Sequence, residues 1–420
     1  MAIISIVVFL AVIITIMTEK VHRTAAALAG AVVLILAGVV SSEKALSYID
    51  FNTIGVLFGM MVFVAVARSS GMFEYIAIKA AKAVKGDPWK LMVVFMLITA
   101  LLSSILDNVT TVLLIGPMTL AITKMLEVNP VPFLMTQVFA SNIGGTATLI
   151  GDPPNILIGS AANLSFIDFV VNTGPPILII ILAMIVVMKF RYKKELATSN
   201  TDIDKVMHLD EQKSVSDPRL MKLTLIIVVA VVLGFIFHDR IGVDSSVIAL
   251  TAGALMLLIG RQNVENMIAD VEWTTLVFFM ALFVVVGGLV ETGVIGKLSS
   301  LLISLTSGHQ IATMLVILWA SALLSSVLDN IPFVATMIPL ITALGSAGMD
   351  ISSFWWALSL GACLGGNGTM IGASANVVIS DISNKHGYPI TFKSFTKEGF
   401  PLMILSIVIS TVYLVVRYGM

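Results

Sequence analysis

Two Asp-Asn pairs stand in matching apolar settings, Asp107-Asn108 in SSILDNVTTVLLIGP and Asp329-Asn330 in SSVLDNIPFVATMIP. The offset is 222 residues (329 − 107). Downstream of each lies a glycine-rich stretch ending in asparagine, GGTATLIGDPPN (144–155) and GGNGTMIGASAN (365–376), now 221 apart. Carboxylate, amide and hydroxyl oxygens brought together in this way could hold a hard cation such as Na⁺ or carry a proton. Backbone amides at the start of a helix present the positive end of its dipole to an anion. The candidate ligands are Asp107, Asn108, Thr110, Thr111, Asn142, Thr146, Thr148, Asp152, Asn155, Asp329, Asn330, Asn367, Thr369 and Asn376, with backbone supplied at Gly144, Gly145, Gly365 and Gly366. Asp107, Asn108, Asp329 and Asn330 form the candidate Na⁺ set.

The elements around these residues are apolar enough to place them in a bilayer. Hydrophobic residues make up 58% of the 420-residue chain and charged residues 12%, against about 25% in soluble domains. The mean hydropathy is +1.04. The formal charge of −1 excludes a basic nucleic-acid footprint, and a single cysteine, Cys363, excludes an intrachain disulfide or a cysteine-metal cluster. Cys363 suits a small buried packing role. The five histidines are scattered, and no cofactor beyond a coupling ion, Na⁺ or H⁺, is expected.

Apolar runs suited to crossing a bilayer fall at about 2–17, 24–40, 52–67, 172–188, 222–237, 245–260, 273–289 and 399–416. Residues 2–17 have neither a preceding basic region nor an evident cleavage site, and suit a retained transmembrane helix better than a signal peptide. Two longer apolar regions, about 90–160 and 310–380, are interrupted. They contain three acidic residues near membrane depth, Asp107, Asp152 and Asp329, and a charge there costs several kcal/mol unless it faces protein or water. A polar tip between two short apolar arms predicts a re-entrant hairpin in each region. Paired glycines and Pro153-Pro154 predict a helix unwound at its middle. Such a break is tolerated only where it is buried in protein or lines a cavity.

Several of these residues admit a structural role as well. The two Asp-Asn pairs could cap helices at the hairpin tips. Asp152, whose counterpart is Ala373, could equally cap the helix that starts at Pro153. Thr110 and Thr111 align with Pro332 and Phe333, so they are substrate-facing in one half or plain packing.

The repeat also pairs Gly38 with Gly260 and Gly71 with Gly293, both at 222. An odd number of crossings per half would invert the second half relative to the first, the pattern of secondary transporters. The expected architecture is an all-α integral membrane protein of two inverted repeats, 1–188 and 222–420, joined by a polar linker at 189–221. Each repeat would hold about five crossings, a re-entrant hairpin and a broken helix. Placing the linker in the cytoplasm puts 20 of the 24 cations inside: the eight of 189–222 with Lys20, Arg23, Arg68, Lys79, Lys82, Lys85, Lys90, Lys124, Arg261, Lys385, Lys393 and Lys397. Lys44, Arg240, Lys297 and Arg417 remain outside, with both termini. Residues 71–87 suit an amphipathic helix at the interface.

LDNVTTVLLIGP, NIGGTATLIGDPPNILIGS and LDNIPFVATMIP together resemble the ion transporter superfamily that contains arsenite permeases, NhaD-type Na⁺/H⁺ antiporters and the melanosomal P protein, with the P-protein-like branch nearest. The resemblance covers essentially the whole chain. More distantly the chain is similar to divalent anion/Na⁺ symporters, whose Ser-Asn-Thr motifs stand where this chain has Asp-Asn. The resemblance implies scaffold segments (about 2–67 and 222–289) and transport segments (about 90–160 and 310–380), joined by arms at about 71–87 and 291–306. It also implies a homodimer with elevator-like motion in the plasma (inner) membrane. The expected function is secondary transport of a small anion or metalloid oxyacid, such as arsenite or a carboxylate, coupled to Na⁺ or H⁺. No Lys or Arg is expected in the core, which leaves helix dipoles and a co-bound cation to meet the anion. A Na⁺/H⁺ antiporter and a passive anion channel are the alternatives. An intramembrane aspartyl protease fits poorly, because Gly151-Asp152 lacks the preceding glycine of the GxGD signature.

Overall fold

The computed structural model describes residues 1–18, 20–197 and 206–419, and among these every regular element is helical. Residues 198–205 of the expected linker lie outside the described residues. Six helices are long and apolar enough to cross a membrane: Phe51–Arg68, Asn108–Met125, Gly174–Lys194 within the helix Gly174–Ala197, Pro218–His238 within Pro218–Ile241, Trp273–Glu291 and Phe392–Tyr418. Among the described residues the number is up to eight if each of two sharply bent pairs, Pro153–Ala162 with Phe166–Asn172 and Val294–Thr306 with Gln310–Ser325, is one span. Ala2–Met17, Arg23–Leu36, Pro88–Ser103, Ser245–Gly260 and Asn330–Ser346 are apolar but shorter.

Element bounds recur at the sequence offset. Pro88–Ser103 and Asn108–Met125 form the first hairpin, and Gln310–Ser325 and Asn330–Ser346 the second. The broken helices are Val131–Gly145 with Pro153–Ala162, and Ser352–Gly365 with Ser374–Lys385. Met72–Ala83 and Val294–Thr306 are the two arms. Local chemistry sets these limits. Asp87 caps the first hairpin arm through the Lys90 amide, with Pro88 in the first turn where its missing N–H costs nothing. Gly71 and Gly293 adopt φ +77° and +71° just before the two arms, a turn that L residues resist.

Close helix contacts depend on small residues, as expected between helices in lipid. A Cβ on Gly59 would sit 2.3 Å from the Ala249 carbonyl carbon, which fixes Phe51–Arg68 against Ser245–Gly260. A Cβ on Gly144 would sit 2.2 Å from the Ala100 carbonyl oxygen, and one on Gly365 2.6 Å from that of Ala322. This corrects the expected role of the paired glycines. Gly366 is the first residue of the second break, in right-handed backbone, whereas Gly144, Gly145 and Gly365 lie in the last helical turn and so unwind nothing. They let each broken helix touch the backbone of its hairpin, and the breaks themselves occupy 146–152 and 366–373.

Candidate functional site

Each hairpin tip docks on the break of its own half. Thr148 Oγ1 donates to the Ser104 carbonyl at 2.5 Å, and Thr369 Oγ1 to the Ser326 carbonyl at 2.5 Å. Asn155 Nδ2 spans the first break by donating to the carbonyls of Thr146 (3.2 Å) and Thr148 (2.9 Å). Asn376 Nδ2 does the same across the second, to Gly366 (2.7 Å) and Thr369 (2.9 Å). Backbone groups that would otherwise be unpaired at membrane depth are thereby met from within the protein.

The two halves then meet through amides. Asn142 Nδ2 donates to Asn367 Oδ1 (2.8 Å) and Asn376 Oδ1 (2.9 Å) of the second half. Asn142 Oδ1 accepts from Asn108 Nδ2 at 3.2 Å. Asn155 Oδ1 accepts from Ser359 Oγ at 2.7 Å and from Cys363 Sγ at 3.5 Å, so the cysteine is part of a buried polar contact as well as of the packing.

At the junction sits Asp152, 1% exposed. It accepts from Asn108 Nδ2 of the first tip (3.3 Å) and from Asn330 Nδ2 of the second (3.4 Å). It makes no side-chain cap to the helix that follows, which rules out the capping role open to it in the sequence. Asp107 and Asp329 do cap. Asp107 accepts from the Thr110 amide (2.8 Å) and Thr110 Oγ1 (2.5 Å), and Asp329 from the Ile331 amide (3.2 Å). Thr111 Oγ1 is buried without a hydrogen-bond partner.

Asp107, Asn108, Asp152 and Asn330 line one buried cavity with about 20 Å³ of room, enough for a single water or small ion. Thr146, Thr148, Asn155, Asn367, Thr369 and Asn376 do not line it, being engaged by the breaks and by the amide contacts between halves. Among the described residues no three His, Cys, Asp or Glu side chains converge as metal ligands.

Two charged groups at this cavity were not singled out from the sequence. Glu272 lines it, with Oε2 accepting from Thr275 Oγ1 at 3.0 Å. Arg23 lines it too, which overturns the expectation of a core without Lys or Arg. Its Nη1 donates to Asp329 Oδ2 (2.9 Å) and Ser374 Oγ (2.6 Å), and its Nη2 to Thr275 Oγ1 (3.2 Å). The guanidinium lies 5.2 Å from the Phe278 ring centroid. The sequence carried no signal for either Arg23 or Glu272, because each sits at the first turn or cap of a helix, where a charge normally faces water.

On the other side of Arg23 lies a second cavity of about 350 Å³, lined by Ile13, Met17, His22, Asp329, Ala373 and Ser374 among others. The exposed residues Val21 and His22 also line it.

A helical membrane scaffold with paired hairpins, paired broken helices and a polar centre defines a multi-pass transporter of the ion transporter superfamily. The citrate transporter family, CitMHS, matches residues 13–361, and the chain belongs to it. The chain is 39% identical to the 46 kDa membrane protein of Mycobacterium leprae, covering 100% of this chain and 99% of that one. It is 40% identical to an uncharacterized transporter of Mycobacterium tuberculosis, with the same coverage. It is 33% identical to the human P protein over 95% of this chain and 58% of that protein. Its fold matches the crystal structure of the YdaH transporter of Alcanivorax borkumensis, described as having an unusual topology. The TM-score is 0.61, with 18% identity and coverage of 92% of this chain and 88% of that one. The family is one of transporters rather than enzymes, and the Mycobacterium tuberculosis relative and the Alcanivorax borkumensis structure are described as transporters.

Proposed function

We propose that the protein is a secondary active transporter that moves a small anion, a carboxylate such as citrate or a metalloid oxyacid such as arsenite, with Na⁺ or H⁺ as the coupling ion. The observation that carries this reading is Asp152, a buried carboxylate held by one amide from each hairpin tip beside room for one ion. A carboxylate at that depth is costly and persists where it has work to do. Three acids, Asp107, Asp152 and Glu272, line the cavity against the single Arg23, so the buried pocket suits the cation. Asp107 and Asp152, with the side-chain oxygens of Asn108 and Asn330, are the groups that would hold it; Asp329, expected in this set, does not line the cavity and is paired with Arg23. The family description supports a carboxylate cargo.

The same acid cluster supports Na⁺/H⁺ antiport as the second reading, since antiport needs no anion. The transport body would be the hairpins and broken helices, moving elevator-fashion against the scaffold of a homodimer in the plasma (inner) membrane. The halves 1–188 and 222–420 would be inserted inverted, with the linker 189–221 in the cytoplasm.

The test is flux into proteoliposomes of citrate, succinate, arsenite and chloride, with Na⁺ and pH gradients imposed separately. Uphill accumulation of an anion under one gradient is expected. Gradient-driven Na⁺ or H⁺ movement indifferent to every anion would replace this reading with antiport, and downhill anion flux alone would make the protein a channel.

A further inference from the structure

Arg23 is the one basic side chain lining the buried cavity, and it also lines the larger cavity beside it. With Ser374 it forms the partition between the two. Asp329 engages the guanidinium through one oxygen and one nitrogen. The fork is therefore only partly used: Nη2 has one bond, to Thr275 Oγ1, and Nε donates to no described residue. Phe278 fixes the plane of the group. The side chain is 25% exposed and its carboxylate partner 12%, so the pair faces the larger cavity without being dissolved in water.

Ser374, which accepts from Nη1, is the first residue of the 12-residue helix Ser374–Lys385, and the residue before it, Ala373, supplies no side-chain cap. The larger cavity thus presents a partly unused guanidinium fork and an uncapped helix N-terminus together. Both favour carboxylate, and guanidinium binds it best through two parallel hydrogen bonds. The buried cavity, with about 20 Å³ of room and three acids, has neither the space nor the charge for one.

We infer that Arg23 is the anion-recognising residue, and that a substrate carboxylate arriving in the larger cavity displaces Asp329 from it. This rests on the anion-transport reading above and divides the site in two: anion at Arg23, coupling cation at Asp152. The tip residue Asp329 is then the internal competitor for the guanidinium. Its release on substrate arrival loosens the second hairpin from the helix that begins at Arg23, which links occupancy to opening of the partition.

The proposal fixes opposite signs for two substitutions that break the same ion pair. Citrate binding to purified protein is measured by calorimetry at fixed Na⁺ and pH, after the melting temperature of each unliganded variant. Arg23→Gln is expected to weaken citrate binding by about tenfold or more, since it removes a charged hydrogen-bonding partner. Arg23→Lys falls between, keeping the charge without the fork. Asp329→Asn is expected to tighten binding about two- to fivefold, the worth of a partly exposed competing pair. A merely structural ion pair would move both variants the same way. Asp329→Asn binding citrate no more tightly than wild type overturns the inference, as does Arg23→Gln binding within about twofold of it. Should Arg23→Gln fail to fold, the sign of the Asp329→Asn response decides alone. Wild-type protein that binds neither citrate nor succinate removes the anion-transport reading itself, whereas wild-type binding with the wrong variant signs removes only the role of Arg23.

Discussion

Asp152 and Ala373 hold the same register position in the two halves, and only the former is a carboxylate reached by both tips. A site built from a repeat becomes asymmetric through such positions. Asp107→Asn and Asp152→Asn are each expected to abolish the dependence of uptake on a Na⁺ or pH gradient while leaving a folded protein, read from proteoliposome flux and melting temperature. Asp152→Asn is expected to cost little stability, less than about 1 kcal/mol, because Asp152 Oδ1 accepts from both amides and an asparagine oxygen in its place keeps both bonds. Gradient-driven uptake retained in both variants would reduce the pair to structural groups. The glycines give a second residue-scale test. A Cβ on Gly145 would lie 2.5 Å from the Gly151 carbonyl oxygen, and one on Gly366 3.1 Å from that of Gly372. Gly145→Ala is therefore expected to destabilise the protein by about 1–3 kcal/mol, and Gly366→Ala by clearly less. Equal melting temperatures for the two would contradict the close-approach role. The polar side chains inside apolar runs were legible in the sequence because they had no cheap alternative at that depth. Arg23 and Glu272 were not, because each sits at the first turn or cap of a helix, where a charge normally faces water.

At the scale of elements, the hairpins, breaks and arms were legible from the polar tips, the prolines and the repeat, whereas the docking of the linker was not, since it depends on backbone meeting backbone across distant sequence. The Ser216 amide donates to the Ser70 carbonyl at 3.1 Å, and Lys82 donates to the Leu209 carbonyl (3.1 Å) and Glu211 (2.6 Å). These contacts pin residues 209–216 to the turn between Phe51–Arg68 and the first arm. A Cβ on Gly71 would lie 1.9 Å from the Ser214 carbonyl oxygen, whereas one on Gly293 would meet nothing within 4 Å. Both glycines have similar positive φ, so an alanine strains the two turns alike, by about 1–2 kcal/mol. Gly71→Ala is expected to release the linker and speed tryptic cleavage at Lys213 and Arg219, with Gly293→Ala as the strain-matched control that does not. Equal cleavage in the two variants would mean that the linker is not held at this turn. The hydrogen bond and charge of Lys82 hold the Glu211 carboxyl below its ordinary 4.5. A carboxylate with a lowered folded value contributes above its unfolded value and loses that contribution as pH falls through the folded one. The linker contact should therefore hold through neutral pH and weaken only below about pH 4.5, read by the emission of a fluorophore on the linker rather than by trypsin, which is itself inactive at that pH.

At the scale of the whole molecule, helix bounds and cation placement constrain the same arrangement from different directions. Pro88–Ser103 recurs as Gln310–Ser325 and Met72–Ala83 as Val294–Thr306, so the order of elements repeats with the sequence. Orientation in a bilayer is a separate matter, set by where lysine and arginine stop crossing. The larger cavity is lined by Met17 and His22, on either side of Lys20, a cation assigned to the inside, and by Arg23 itself. If the linker is cytoplasmic, this cavity belongs to the cytoplasmic half of the site. Arg23 then counts as more than a topogenic charge, since its guanidinium is committed to Asp329 and Ser374. Removing it from the tally leaves 19 inside against 4, so the bias survives the reassignment. Ser199 and Met420 both lie outside the described residues. Cys363 is the only native cysteine and is buried. Single cysteines at Ser199 and Met420, treated in intact cells with a membrane-impermeant maleimide, are expected to differ: Met420→Cys labels from outside, and Ser199→Cys labels only after the membrane is permeabilised. Equal labelling from outside would place linker and C-terminus on one face and make the number of crossings in the second half even. Inversion of that half would then be lost, and with it the symmetry argument that brings both tips to Asp152 from opposite sides.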